Sequence, residues 1–511
     1  MPDETAANGA QTGRGARSRD SQAGAGWGCE QGSAYSEQAH RHSRRFSWLN
    51  PTPLWRSRND RVARVFGDPT DDRRRAWMKI LDPSGASGLT VDRSGGDETV
   101  SFLVLGDTGE GDESQFAVVG SLLSQAAGTD FMFICSDVIY PAGGVEEYQD
   151  KFFWPYREYP GAIYAIPGNH DWYDDCVAFM HWFCGVESPP PQAPLGLSPK
   201  LLLRRLLWRR PRRPNPERLA AMNTFALPGQ PGSYFAIDTG PLLLVGIDTG
   251  ITGGVDAGQA AWLKRISRQS PKPKILLTGK PIYVDGEYHA GRIENSAETV
   301  DQIVTAAEHN YIAAIGGDIH NYQRYPVQLD DGRKMLYLVS GGGGAFMHET
   351  HSIPNIDRTR IGERVSEEEF RCYPLRGDSL SLYSKLYARK LLGRLRGARE
   401  VPPEEAAAYL AEHLGVQPVR EEGIAVSEHS RRAADALMQL PGRGRGALHI
   451  PFSEWLDWNE APLFKSFLRI DASAGEVRIC CFAATGCAGQ EGEPPVEDEL
   501  VWTADAPSGW Q

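Results

Sequence analysis

The sequence is poor in cysteine. Eight in 511 residues are too few for the disulfide framework that staples small secreted folds. No apolar run approaches the ~18 residues of a bilayer-spanning helix, so an integral membrane protein is not expected. Basic charge is in the minority, with 54 Lys and Arg against 66 Asp and Glu and a formal net charge of -12. That balance argues against nucleic acid as the main partner, because phosphate-binding surfaces are usually basic. The N-terminal text MPDETAANGAQTGRGARSRD lacks the charged-then-apolar pattern of a secretory signal, which predicts a cytoplasmic protein. Internal repeats, an HExxH zinc motif and a phosphate-cradling loop ending in Lys are also missing. What remains is globular in composition, 41% hydrophobic and 23% charged, with ample material for a core.

Residues 1–45 are rich in Gly, Ala, Ser and charge and read as disordered. Apolar residues from Phe46 to Leu81 suit short helices packing onto a larger body, and Asp82 to Asp97 reads as a linker. From Thr99 short apolar runs recur, each ending in Gly, Asp, Asn or His: VSFLVLGD, DFMFICSD, AIYAIPGNHD, KILLTGK, YIAAIGGDIH and MLYLVSGGGG. Such runs suit strands buried on both faces. Helical patterns between them, QFAVVGSLLSQAA and GQAAWLKRISRQS, predict an α/β sheet. The expected organisation is an N-terminal extension over 1–97, one catalytic domain over 98–486 with inserts at about 185–218 and 353–462, and a loose tail over 487–511. A closing β-hairpin is expected around Ala474-Gly475.

Ligands gather at the carboxyl ends of strands in such sheets, and the polar residues stand there: Asp107, Asp137 with Tyr140, Asn169-His170-Asp171, and Asp318 with His320. One Asp alone is commonly a turn or helix cap. Carboxylates, a phenol, a carboxamide and an imidazole together form a candidate metal cluster. Oxygen-rich ligation favours hard cations, and a phenolate favours trivalent iron.

The motifs LGDTGEGD, SDVIYPAG, PGNHDWYD, GGDIHNYQRY and VSGGGGAFM make residues 98–349 resemble the calcineurin-like metallophosphoesterases, and within them the purple acid phosphatase branch of the tartrate-resistant type. The resemblance implies a four-layer α/β/β/α sandwich. It implies that Asp107, Tyr140 and His320 bind a first metal, expected to be iron, that Asp137 bridges two metals, and that Asn169 binds the second. His170 would lie beside the substrate as proton donor, and Asp171 would either orient His170 or simply begin a turn. Two metals would clamp the phosphoryl oxygens of a small-molecule phosphoester and activate water.

Two departures fall on the second metal. Where the family carries a His before a Pro, this chain reads LLTGKPIYV, placing Gly279 or Lys280 there; where the family has Gly-His-x-His, it has Gly317-Asp318-Ile319-His320. A carboxylate for an imidazole favours Mn²⁺, Mg²⁺, Ca²⁺ or iron over Zn²⁺. Either a weakened second metal remains, or Lys280 fills part of its volume, pairs with Asp318 and binds a phosphate oxygen. His289 is read as a solvated loop residue rather than a substitute ligand. Two acid-free stretches, KLLLRRLLWRRPRR and KLYARKLLGRLRGAR, either dock on the acidic body or lie at an anionic membrane surface. The expected activity is phosphate mono- or diester hydrolysis, with a catalytically silent binder or a phospholipid-directed enzyme as alternatives. Oligomeric state is open.

Overall fold

The computed structural model describes residues 50–510 apart from 86–87, 96–97, 192–197, 212–214, 389–399, 417–422, 441–448, 450–451, 454–462, 485–493 and 507–508. The expectation for residues 1–45 and most of the second basic stretch lie outside the described residues. Strands are numbered here in chain order: β1 Thr90–Asp92, β2 Thr99–Leu105, β3 Phe131–Ile134, β4 Ala162–Ala165, β5 Phe235–Asp238, β6 Leu243–Ile247, β7 Lys274–Thr278, β8 Tyr311–Gly316, β9 Tyr322–Gln328, β10 Lys334–Ser340, β11 Arg371–Tyr373, β12 Lys465–Ser473, β13 Glu476–Ala484 and β14 Val496–Thr503. They form two sheets, ordered β14-β13-β12-β2-β3-β4 and β1-β5-β6-β7-β8-β10-β9-β11.

The period-two alternation of side chains explains the layering. On β2, Phe102 and Val104 join one core with Phe133 of β3, Phe235 of β5 and Leu276 of β7, so these faces of the two sheets pack together. Leu103 and Leu105 point the other way, into a second core with Phe116 and Leu122 of the helix Glu113–Ser124. Each such fully buried large apolar side chain contributes about 1.5–3 kcal/mol. The sheets approach closely at Gly246, where an added Cβ would come 2.9 Å from the Ile166 methyl. The far face of the larger sheet is covered by Ala257–Gln269 and Val300–Thr305. The architecture is therefore α/β, with two facing sheets between helices.

β2, β3 and β4 run parallel, as do β6, β7, β8 and β10, so their carboxyl ends open toward one cleft. The hairpin predicted around Ala474-Gly475 is β12–β13.

Three segments differ from expectation. Part of the 82–97 linker is β1, which pairs parallel with β5. The β5–β6 hairpin, in YFAIDTGPLLLVGID, extends the larger sheet although its text was not among the predicted strands. The tail expected to be loose supplies β14, an edge strand on β13. Its acidic composition masks an alternation that buries Val496 and Leu500.

Candidate metal centre

Each expected ligand follows a strand. Asp107 lies just beyond β2, Asp137 beyond β3, Asn169 beyond β4, and Asp318 and His320 beyond β8. Asp107, Asp137 and Asp318 adopt φ of +59°, +33° and +67°, a left-handed conformation that few non-glycine residues take and that clusters at functional sites. The backbone turns there at once and brings the carboxylates over the strand ends. Glycines make room for them: a Cβ at Gly168 would fall 2.1 Å from Asp137 Oδ1, and one at Gly341 would fall 2.5 Å from Asp107 Oδ2.

The Tyr140 hydroxyl lies at the middle of the first donor set. Asp107 Oδ1, Asp137 Oδ2 and His320 Nε2 each stand 3.1 Å from it. One phenolic proton cannot serve three acceptors, so this geometry suits a cation better than a hydrogen. The His320 Nδ1–H donates to the Phe346 carbonyl at 2.7 Å, which turns Nε2 toward the cluster, the usual outer support of a metal-ligating imidazole. Burial holds His320 at about 3, in the neutral form a metal requires. Burial, then the neighbouring Asp137 and Asp318, push the Asp107 carboxyl well above its ordinary value. Burial and the Asp107 and Asp137 carboxylates likewise push the Tyr140 phenol up. A bound cation would relieve all of these penalties. Asp107 Oδ2 and Asn169 Oδ1 are buried without a hydrogen-bond partner. Among the described residues no group of three or more His, Cys, Asp or Glu side chains is placed to hold a metal ion. Donor types, the orphaned Asp107 oxygen and the glycine clearances thus fit a metal at the first site.

The second site differs. Lys280 Nζ lies 2.5 Å from Asp318 Oδ1. Burial alone would raise the Asp318 carboxyl, but the Lys280 ammonium outweighs it and holds Asp318 below the ordinary value. Gly279 is not an alternative ligand position, since a Cβ there would meet Thr249 Oγ1 at 2.9 Å and the Pro167 carbonyl at 3.3 Å. Asn169 Nδ2 donates to the Tyr173 hydroxyl at 2.7 Å and its Oδ1 is buried without a hydrogen-bond partner. His289 is exposed on a short hairpin beside Glu287.

His170 donates its backbone amide to Asp137 Oδ1 at 2.7 Å and its Nδ1–H to the Pro141 carbonyl at 2.9 Å. Its ring packs between Tyr140 and Tyr173, at 4.4 and 4.6 Å. Asp171 is engaged by backbone amides. Its carboxylate accepts the Val138, Ile139 and Gly168 amides at 3.0, 3.3 and 3.1 Å, bracing the two ligand-bearing loops against each other. Arg324 is structural, paired with Asp498 of β14 at 2.7 Å. His348 stacks flat on His320 at 4.2 Å.

Sequence reasoning missed Arg74 and Asp248. Arg74, on the helix Thr70–Leu81, is fully buried and pairs with Asp248 and Asp256, each at 3.0 Å. Asp248 Oδ1 also accepts the Trp172 indole N–H at 2.9 Å, and Trp172 shares a turn with Asn169 and His170. The N-terminal extension is thereby tied to the ligand loop. The signal available in the sequence was an apolar run ending in Asp248, the same pattern that marks the ligands.

Residues 100–322 match the family model of the calcineurin-like phosphoesterases. No curated protein matches the chain. Among solved structures, purple acid phosphatase PPD1 from yellow lupin (Lupinus luteus) seeds is similar at 10% identity and TM-score 0.36, with 79% of this chain and 54% of that one covered. The chain thus spans about half the length of the lupin protein. A structure of PhoD is similar at 10% identity and TM-score 0.37, covering 81% and 71%. GAP50, described as the anchor in the inner membrane complex of Plasmodium, is similar at 11% identity and TM-score 0.32, covering 49% and 74%. Likeness at this level assigns no activity.

Proposed function

We propose that the chain, whose residues 100–322 match the calcineurin-like phosphoesterase family model, hydrolyses a small phosphate mono- or diester at the strand-end cleft. The observation that supports this most is the convergence of Asp107, Asp137 and His320 on one phenolic oxygen, with His170 packed against the same ring. Asp107, Asp137, Tyr140 and His320 would hold the first cation, and the phenol favours ferric iron. When bound, that cation supplies Lewis acidity toward a phosphoryl oxygen and lowers the pKa of water.

The chain's own residues do the rest. The backbone amide of His170 binds Asp137, and the Pro141 carbonyl holds the His170 Nδ1–H, so Nε2 is the nitrogen that exchanges a proton, and it gives one to the leaving oxygen from the imidazolium form and becomes the neutral ring. Asp171 holds the Asp137 and Asn169 loops at constant separation. Hydrolysis of an aryl phosphate by wild type, Asp137→Asn and His170→Ala tests the reading. His170→Ala is expected to slow turnover about 10²–10⁴-fold. Equal rates in all three proteins would sink it in favour of a silent binder.

A second reading concerns where the enzyme works. The helix Pro199–Leu207 buries none of its residues. Its Leu202, Leu203 and Leu206 are 49%, 47% and 78% exposed, beside Leu54 and Trp55 at 51% and 66%. Arg58 donates to the Leu207 carbonyl and Arg204 to the Gly67 carbonyl, tying the two elements together, and the helix itself carries Lys200, Arg204 and Arg205. Leucine, tryptophan and unopposed basic charge together suit an anionic bilayer surface. The second basic stretch does not share this property where it is described, since Leu386 and Tyr387 are buried. Cosedimentation with phosphatidylserine vesicles at low salt, lost in Leu206→Asp, is the expected result. No binding by wild type would dispose of the idea.

A further inference from the structure

We propose that Lys280 is a built-in cation standing where a second metal would bind, so that the protein takes up one metal ion per chain. The inference rests on the phosphoesterase reading of the cleft and adds to it the source of the second positive charge.

Three observations carry it. The Lys280 ammonium is already paired with Asp318 at 2.5 Å, so the carboxylate that would have to serve a second metal is engaged. Gly279 cannot be replaced by a ligating side chain without displacing Thr249 and the Pro167 carbonyl, so the side chain after β7 that reaches the cleft is that of Lys280. The stem runs close past Gly253, where an added Cβ would stand 3.1 Å from Lys280 Cδ.

Geometry points the same way, because a second divalent ion at Asp318 would face the Lys280 ammonium at close range. An ammonium differs from a metal in what it can do. It donates hydrogen bonds to a phosphoryl oxygen as a point charge but does not activate water. Lys280 is therefore assigned to holding the transferred phosphoryl group, and water activation to the first site alone.

The test is metal stoichiometry, read without substrate. Wild type, Lys280→His and Lys280→Ala, each stripped and then dialysed against excess Mn²⁺, are measured for bound metal per chain. Wild type is expected to hold one equivalent. Lys280→His, which removes the competing charge and supplies an imidazole beside Asp318, is expected to hold two. Lys280→Ala controls for misfolding by its unchanged retention of the first equivalent. Two equivalents in wild type, or one in Lys280→His that keeps the wild-type circular dichroism spectrum, would overturn the proposal. An aryl phosphate assay on the same samples separates the two claims. One equivalent without hydrolysis refutes the phosphoesterase reading and leaves the place of Lys280 standing; two equivalents with hydrolysis do the opposite.

Discussion

Replacing Arg74 by Met is expected to destabilise the protein by about 3–5 kcal/mol, the usual cost of removing one member of a buried ion pair. The value follows from burial. Arg74, Asp248 and Asp256 are all essentially solvent-free, and the guanidinium also reaches Asp71 at 3.1 Å. Burial alone would lower the Arg74 pKa, but Asp248 and Asp256 outweigh it, so the group stays charged. Met restores the volume without the charge, and two carboxylates are left uncompensated in a dry environment. Trp172 would remain as a hydrogen-bond donor to Asp248, which keeps the loss at the lower half of that range. Equilibrium urea unfolding of metal-free protein is the assay. Arg432, paired with Glu428 on the surface with 78% of its side chain exposed, serves as control: Arg432→Met should leave the midpoint unchanged. An Arg74→Met midpoint equal to wild type would refute the claim that this arginine locks the N-terminal extension onto the ligand loop.

Tyr140→Phe removes the phenol from the centre of the first donor set. Iron-loaded wild type is expected to show a visible charge-transfer band that the variant lacks; an identical spectrum would remove Tyr140 from the ligand set. Gly168→Ala would drive a methyl to 2.1 Å from Asp137 Oδ1, so metal content by elemental analysis should fall at least tenfold, and full occupancy would show that the loop yields easily. Lys274, at the opposite end of β7 from the cleft, is held down at about 8 by burial. Its folded pKa lies below the ordinary lysine value of about 10.4, so below about pH 8 folding carries the cost of a buried charge, and that cost is relieved as pH rises toward 10. Lys274→Met should therefore be more stable than wild type at pH 7, with the difference in urea midpoint shrinking between pH 8 and 10; a constant difference would contradict the assignment.

The candidate ligand positions were legible because each follows a continuous apolar run, and a polar residue at the end of a buried strand has few structural reasons to be there. That logic found Asp107, Asp137, Asn169, Asp318 and His320 and equally marks Asp248, whose partner Arg74 lies 174 residues away and could not be inferred from local pattern. The edge strand Val496–Thr503 was hidden because VEDELVWT reads as acidic tail unless its alternation is weighed above its charge. Asp171 was ambiguous for a physical reason: a carboxylate next to a histidine can serve the ring or the backbone, and only the positions of the Val138 and Ile139 amides decide. The left-handed conformations of the three aspartates are likewise invisible in sequence, since Asp accepts that region but rarely requires it.

The central claim is that phosphoester hydrolysis depends on a cation held by Asp107, Asp137, Tyr140 and His320. It is tested most directly by stripping purified protein with a chelator and titrating metal back while following aryl phosphate hydrolysis. The expected result is loss of activity on stripping and recovery that saturates with metal in wild type but not in Asp137→Asn. Undiminished hydrolysis by fully metal-free protein would contradict the claim.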